Sequence, residues 1–262
     1  MVGSDLELAF RLSDAADSET LRWWSSAGVA SSLKNDGSPV TDADSAAERA
    51  VLDLVREVRP GDGLLGEEIG EHLGTTGRRW IVDGIDGTKY FAAGSRCWGT
   101  LIALEVDGVI VVGVSSSPAQ SRRWWATRDG GSFTGRSDRS GVKRLHVSTG
   151  QTGWPVGSDR FAFHPGRSVA DPLRQQVLET FAGGPVADHS WSHQNRVAEG
   201  ELDLCVWFAG EIWDHAAPSI IVEEAGGRFS DLWGGKRLDT RTAIYSNGAM
   251  HDAALRALEP YR

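Results

Sequence analysis

Three things are scarce in this chain. Cysteine occurs twice in 262 residues, at Cys97 and Cys205. The two lie far apart, with neither metal-type spacing nor a disulfide framework, so both read as small buried hydrophobes. Positive charge is also short: 27 Lys and Arg against 36 Asp and Glu leave a formal charge of -9. That argues against a nucleic-acid polymer or a membrane surface as partner, since each needs a basic face. It leaves room for a small anionic substrate, because a bound metal ion can reverse the local field. Long apolar runs are missing too. No stretch approaches the ~20 residues of a membrane span, and "MVGSDLELAFRLSDAAD" carries early acids rather than a leader's apolar core. The expectation is a cytoplasmic protein without repeats or low-complexity segments.

What is present suits a folded core: 40% of residues are hydrophobic and 24% charged. Residues 5–30 predict an amphipathic helix, with Leu6, Leu8, Phe10, Leu12, Leu21, Trp23 and Trp24 at roughly helical spacing. A polar turn then leads to a second helix capped by Thr41 or Asp42, its apolar face being Ala47, Ala50, Val51, Leu54 and Val55. "LLGEEIG" and "RRWIVD" predict buried strands, and Asp107-Gly108 marks a hairpin turn. "RRWWATRDGGSFTG" predicts a further hairpin; Trp124 and Trp125, being adjacent on a strand, should face opposite sides. Gly, Ser and Pro crowd residues 148–170, placing a boundary near 150 between an N-terminal half (1–150) and a C-terminal half (151–262) of one compact unit. "DPLRQQVLETFAG" predicts a helix, "WSHQNRVAEGELDLCVWF" a helix, turn and strand, and "WDHAAPSIIVEEAGG" a helix closed by Gly226-Gly227. The class is layered α/β or α+β.

Acidic residues sit at element ends: Asp42/Asp44, Glu67/Glu68, Asp83/Asp86 and Asp214. Alone, the first group is a helix cap and the second an ordinary strand end. Asp83 and Asp86, three apart at a strand exit with no basic neighbour in sequence, lack such a reason. Converging carboxylates without a cation cost several kcal/mol in repulsion and desolvation, and hard divalent ions such as Mg2+ remove that cost. If a helix starts at "TKYFAAG", the backbone N–H groups of Gly87 and Thr88 form a phosphate site beside the metal. That is the layout of metal-assisted phosphoester hydrolysis.

These residues stand as Gly66-Glu67-Glu68, as the run Trp80 to Phe91 ("WIVDGIDGTKYF"), and as Trp213-Asp214-His215-Ala216-Ala217 with Glu224-Ala225-Gly226-Gly227. So arranged, the chain resembles the inositol-monophosphatase superfamily of Mg2+-dependent, lithium-sensitive phosphatases, from about residue 34 to 248. The resemblance implies an αβαβα sandwich, usually a homodimer, using two to three Mg2+ ions. It implies Glu67, Asp83 and the Ile85 carbonyl at a first metal, Asp83, Asp86 and Asp214 at a second, and Asp44 with Glu67 at a third. A metal-activated water, oriented by Thr88 and the Asp44 side, would attack phosphorus in line. One residue departs from the motif: Gly84 stands where the family has proline, which should loosen the turn.

The segment around "SSSPAQSRRWWATRDGG" looks most like the histidinol-phosphate phosphatases, so L-histidinol phosphate is the leading substrate. Inositol phosphate, another cyclitol, a sugar phosphate or a nucleotide phosphate is the alternative. An impaired relative that only binds a phosphate ligand is a third reading, supported by Gly84 and opposed by the retained acids. Glu211, His189, His193 and Arg196 are the substrate-side candidates. The competing reading makes the histidines packed core and Arg196 and Glu199 a solvated helix face.

Overall fold

The computed structural model describes residues 2–25, 27–35, 37, 39–149, 160–164 and 191–261. Helix α1 (Val2–Trp23) is followed by a small hairpin of β1 (Ser32–Leu33) and β2 (Pro39–Val40), then α2 (Asp42–Val58). The first helix stops seven residues before the expected end. Its last helical bond is Trp24 N–H to Thr20, after which Gly28 takes a left-handed φ of 90° and folds back on Ser25.

One eight-stranded sheet follows: β3 (Gly63–Gly66), β4 (Gly70–His72), β5 (Arg78–Asp86), β6 (Gly99–Val106), β7 (Val109–Ser117), β8 (Arg122–Thr127), β9 (Gly131–Arg136) and β10 (Lys143–Arg144). Their spatial order is β10-β9-β8-β7-β6-β5-β3-β4. All neighbours are antiparallel except β3 and β5. The Asp107-Gly108 turn joins β6 to β7 with both residues at positive φ, 50° and 81°, as a tight hairpin requires. A second sheet has the order β11-β12-β14-β13, from β11 (Phe161–His164), β12 (Leu204–Trp207), β13 (Arg228–Ser230) and β14 (Ala243–Ser246). The remaining helices are α3 (Thr88–Ala92), α4 (His193–Ala198), α5 (Ile212–Glu224) and α6 (His251–Ala257). The helix expected in "DPLRQQVLETFAG" lies outside the described residues.

The layers follow from alternation along strands that are covered on both faces. Trp80, Val82, Ile102, Leu104 and Trp125 point to α1 and α2, where they meet Leu8, Leu12, Val51 and Val55. Ile81, Leu101, Ala103 and Trp124 point the other way, onto Ala216, Ala217 and Ile220 of α5. The far side of α5 meets Cys205 and Tyr245 of the second sheet, whose outer face carries Phe161, Val206 and Ile244 against Ala254 and Leu258. This is the expected αβαβα sandwich, and Trp124 and Trp125 do separate into different layers. Cys205 is buried as expected, whereas Cys97 is half-buried.

A charged group is sealed under α1. Arg123 is 1% exposed and donates to Asp14 (2.7 Å) and Asp17 (2.9 Å), while Ser116 donates to Asp17 (2.5 Å). Burial outweighs the guanidinium and pushes the Asp17 carboxyl up to about 6 from its ordinary 3.8. A carboxyl raised on folding contributes stability that is complete below about pH 4 and lost as pH rises through about 6. We therefore expect urea titrations to show a stability loss of roughly 3 kcal/mol over that window. The loss should be absent in Asp17→Asn; parallel pH curves for the two proteins would show that Asp17 titrates normally.

Candidate active site

The site lies where β5 leaves the large sheet and α5 begins. β5 runs through Asp83 to Asp86, and its pairing with β6 is irregular between these two residues. Gly87 follows at φ 88°, a left-handed conformation that lets the chain turn at once into the short helix α3. Across the layers, the N-terminus of α5 brings in Asp214. One ligand oxygen each from Asp83, Asp86 and Asp214 lie within 4.8 Å of one another.

Each of the three carboxylates has one oxygen held by a neighbouring donor. Ile85 N–H donates to Asp83 Oδ1 (2.9 Å), Glu211 N–H to Asp214 Oδ2 (2.6 Å), and the Trp191 indole N–H to Asp86 Oδ2 (2.9 Å). The anchored oxygens limit the rotamers of the three side chains, and each carboxylate has a second oxygen besides. Burial, followed by the negative charges around it, holds Asp83 well above the carboxylate range. Burial and then Asp86 do the same to Asp214, and burial pushes Asp86 up to about 6 against the Trp191 hydrogen bond. A set of hard oxygen donors this crowded fits a divalent ion, whose charge would reverse the shifts.

The other expected ligands surround this trio without joining it. Glu67 is turned to Lys34, whose ammonium lies 2.6 Å from Glu67 Oε1 and also pairs with Glu68. The β1–β2 hairpin thus delivers a cation to the two glutamates, while Asp83 and Asp86 gain none from it. Asp44 Oδ2 accepts Thr41 N–H (2.8 Å) and Thr41 Oγ1 (2.6 Å), closing the start of α2. Thr88 Oγ1 lies 2.9 Å from Asp44 Oδ1 and 3.0 Å from the Ile85 carbonyl. Having one proton, that hydroxyl serves one acceptor at a time and keeps lone pairs for a further donor.

Behind the site stands Glu48, which the sequence reading passed over. It is 1% exposed and accepts the N–H groups of Glu67 (3.0 Å), Glu68 (2.9 Å) and Ile69 (3.0 Å). Burial pushes its carboxyl up to about 7. One signal pointed to it: an acid one turn after Asp44, on the same helix stripe as Val51 and Val55. Gly84 is likewise more constrained than expected. Its N–H faces Glu48 Oε1 at 3.4 Å and its carbonyl accepts Thr100 Oγ1 (3.0 Å). A Cβ there would lie 2.9 Å from the Asp44 carbonyl oxygen. The turn is pressed under α2, which restricts it in place of a proline ring.

The substrate-side candidates divide. His189 lies outside the described residues. His193 is buried, its Nδ1 3.0 Å from His164 Nε2, and His164 stacks on Trp207 at 4.1 Å. Arg196 pairs with Glu201 (2.9 Å), and Glu211 with Arg241 (3.0 Å). Glu199, expected on a solvated face, turns inward instead and accepts the Trp124 indole N–H (2.6 Å) while pairing with Arg122. It closes α4, where the helix end directs its side chain to the sheet. Glu224 of the Glu-Ala-Gly-Gly run serves the fold, accepting Asp129 N–H (3.0 Å) and Gly131 N–H (2.9 Å) in the β8–β9 turn.

Replacing Glu48 with Gln puts an amide NH2 against this row of N–H donors. The expected cost is about 1–3 kcal/mol in chemical denaturation, with catalytic activity reduced through a displaced Glu67. Unchanged stability and activity would remove Glu48 from the account.

Comparison with known proteins adds to this geometry. The family model described as "Inositol monophosphatase family" matches residues 5–262. The histidinol-phosphatase of Mycobacterium tuberculosis is 40% identical, with 98% of this chain and 99% of that protein covered. A Streptomyces griseus protein named glucose-1-phosphate thymidylyltransferase is 39% identical, covering 95% and 94%. Among solved structures, the extragenic suppressor protein suhB from Bartonella henselae superposes with a TM-score of 0.85 at 26% identity, covering 98% of each chain.

Proposed function

The chain belongs to the inositol monophosphatase family and is a phosphatase, and from that premise we propose that it hydrolyses L-histidinol phosphate to L-histidinol and phosphate with Mg2+. The observation that carries the reading is the meeting of Asp83, Asp86 and Asp214, one carboxylate oxygen each within 4.8 Å, beside the Gly87-Thr88 turn. The full-length likeness to a histidinol-phosphatase supports the choice of alcohol.

When bound, two to three Mg2+ ions supply a nucleophile at neutral pH and positive charge for the phosphate and leaving oxygens. Asp83, Asp86 and Asp214 would hold one ion. Glu67, Asp83 and the Ile85 carbonyl would hold a second, once Glu67 exchanges Lys34 for the metal. Asp44, with Glu67, would serve a third. Gly87 and Thr88 would receive the phosphate on their N–H groups. Thr88 Oγ1, 2.9 Å from Asp44 Oδ1, would accept a proton from an attacking water while passing its own to Asp44. Glu211, His193, His189 and Arg196 remain the proposed alcohol-side residues. Lithium inhibition, a homodimer, a cytoplasmic location and two halves meeting near residue 150 complete the reading. No helix among the described residues is long and apolar enough to cross a membrane.

Phosphate release should be measured for L-histidinol phosphate, myo-inositol 1-phosphate, glucose 1-phosphate and adenosine 3',5'-bisphosphate, with Mg2+ and with chelator. A kcat/KM for histidinol phosphate about a hundredfold above the rest is expected; Mg2+-dependent turnover of another ester in its place reassigns the alcohol. Asp214→Asn gives a second test. Removing one of three mutually repelling buried carboxylates should raise the metal-free Tm, abolish the rise in Tm on adding Mg2+, and lower kcat by at least about a hundredfold. A collapse in the metal-free Tm would make Asp214 a structural residue.

A further inference from the structure

Of the three donors that anchor the carboxylate trio, two are backbone N–H groups, of Ile85 and Glu211. The third is a side chain, the indole of Trp191 on Asp86 Oδ2 at 2.9 Å. Trp191 is 8% exposed and tightly seated. A Cβ at Gly99 would overlap its six-membered ring, and one at Gly87 would come within 3.6 Å of its Cδ1. Trp124 tilts against it at 6.0 Å and is itself held by Glu199. Trp191 also lines a cleft of about 660 Å3, together with Arg96, Cys97, Arg122, Arg196 and Glu199. Two glycines, an aromatic neighbour and a hydrogen bond thus fix the ring against Asp86.

We propose that Trp191 is a positioning residue for the metal site: its indole N–H fixes the Asp86 carboxylate so that one oxygen faces Asp83 and Asp214. The proposal rests on the reading of these three carboxylates as metal ligands. A carboxylate released from its outer partner must lose rotamer freedom when the ion binds, and it approaches two other carboxylates without a donor's partial positive charge. Metal affinity therefore falls, while the chemistry at saturating metal changes little. Outer partners of metal ligands typically matter by tenfold or more.

The test is Trp191→Phe, which keeps a ring in the slot and removes the N–H. Mg2+ titrations followed by Tm, and separately by activity, should give a half-saturating Mg2+ concentration about tenfold higher than wild type, with kcat at saturating Mg2+ within about threefold. A variant with the wild-type Mg2+ midpoint overturns the proposal, even if its metal-free Tm drops, because that pattern is packing alone. If the wild type and Asp214→Asn both ignore Mg2+, the metal reading itself fails and the proposal fails with it. Should Trp191→Phe not fold well enough to titrate, indole 15N–1H spectra of the wild type decide instead. The Trp191 signal, identified by its loss in Trp191→Phe expressed for spectra alone or by its change in Asp86→Asn, should shift on adding Mg2+; a signal so identified that does not move with Mg2+ overturns the proposal.

Discussion

Carboxylates buried side by side repel one another strongly, because little water is present to screen them. Asp83, Asp86 and Asp214 are in that position, and much of the surrounding structure serves to hold them there. Three N–H donors each tie down one oxygen. Glu48 collects the N–H groups of the Glu67–Ile69 turn, and Lys34 covers Glu67 and Glu68. Holding the acids in place limits the ordering that a cation must impose on arrival.

The sandwich makes such placement stable. Asp83 leaves a strand whose two faces are both buried, with Trp80 and Val82 on one side and Ile81 on the other. The strand cannot rotate without exposing one set of these residues. Asp214 starts a helix packed between two sheets, so its approach to Asp83 is set by the middle layer. Carboxylates from distant parts of the sequence are therefore joined through core packing, and local helix or strand preferences have little part in their distance from one another.

Much of this was legible residue by residue. The Asp107-Gly108 hairpin, the Thr41 cap of α2, the opposite facing of Trp124 and Trp125 and the Gly87 entry to α3 are all local events, governed by turn chemistry and by the periods of helix and strand. Where the reading fell short, long-range contacts decided the outcome. Gly84 looked like a loosened turn, yet α2 presses on it. Glu199 looked solvated, yet Trp124 and Arg122 draw it inward. The first helix looked longer because its apolar spacing continues to Trp24, yet the helix stops at Trp23 and a turn at Gly28 follows.

The sequence by itself determined the chemistry at the element ends: carboxylates at strand and helix ends, a glycine before a helix start, and a motif set specific enough to indicate the family. Such features depend on residue type and short spacing, which a linear chain displays directly. Only the tertiary structure decided which donors hold those acids. Lys34, Glu48 and Trp191 reach Glu67, its turn and Asp86 across 33, 19 and 105 residues, distances closed by layer packing rather than by any local preference.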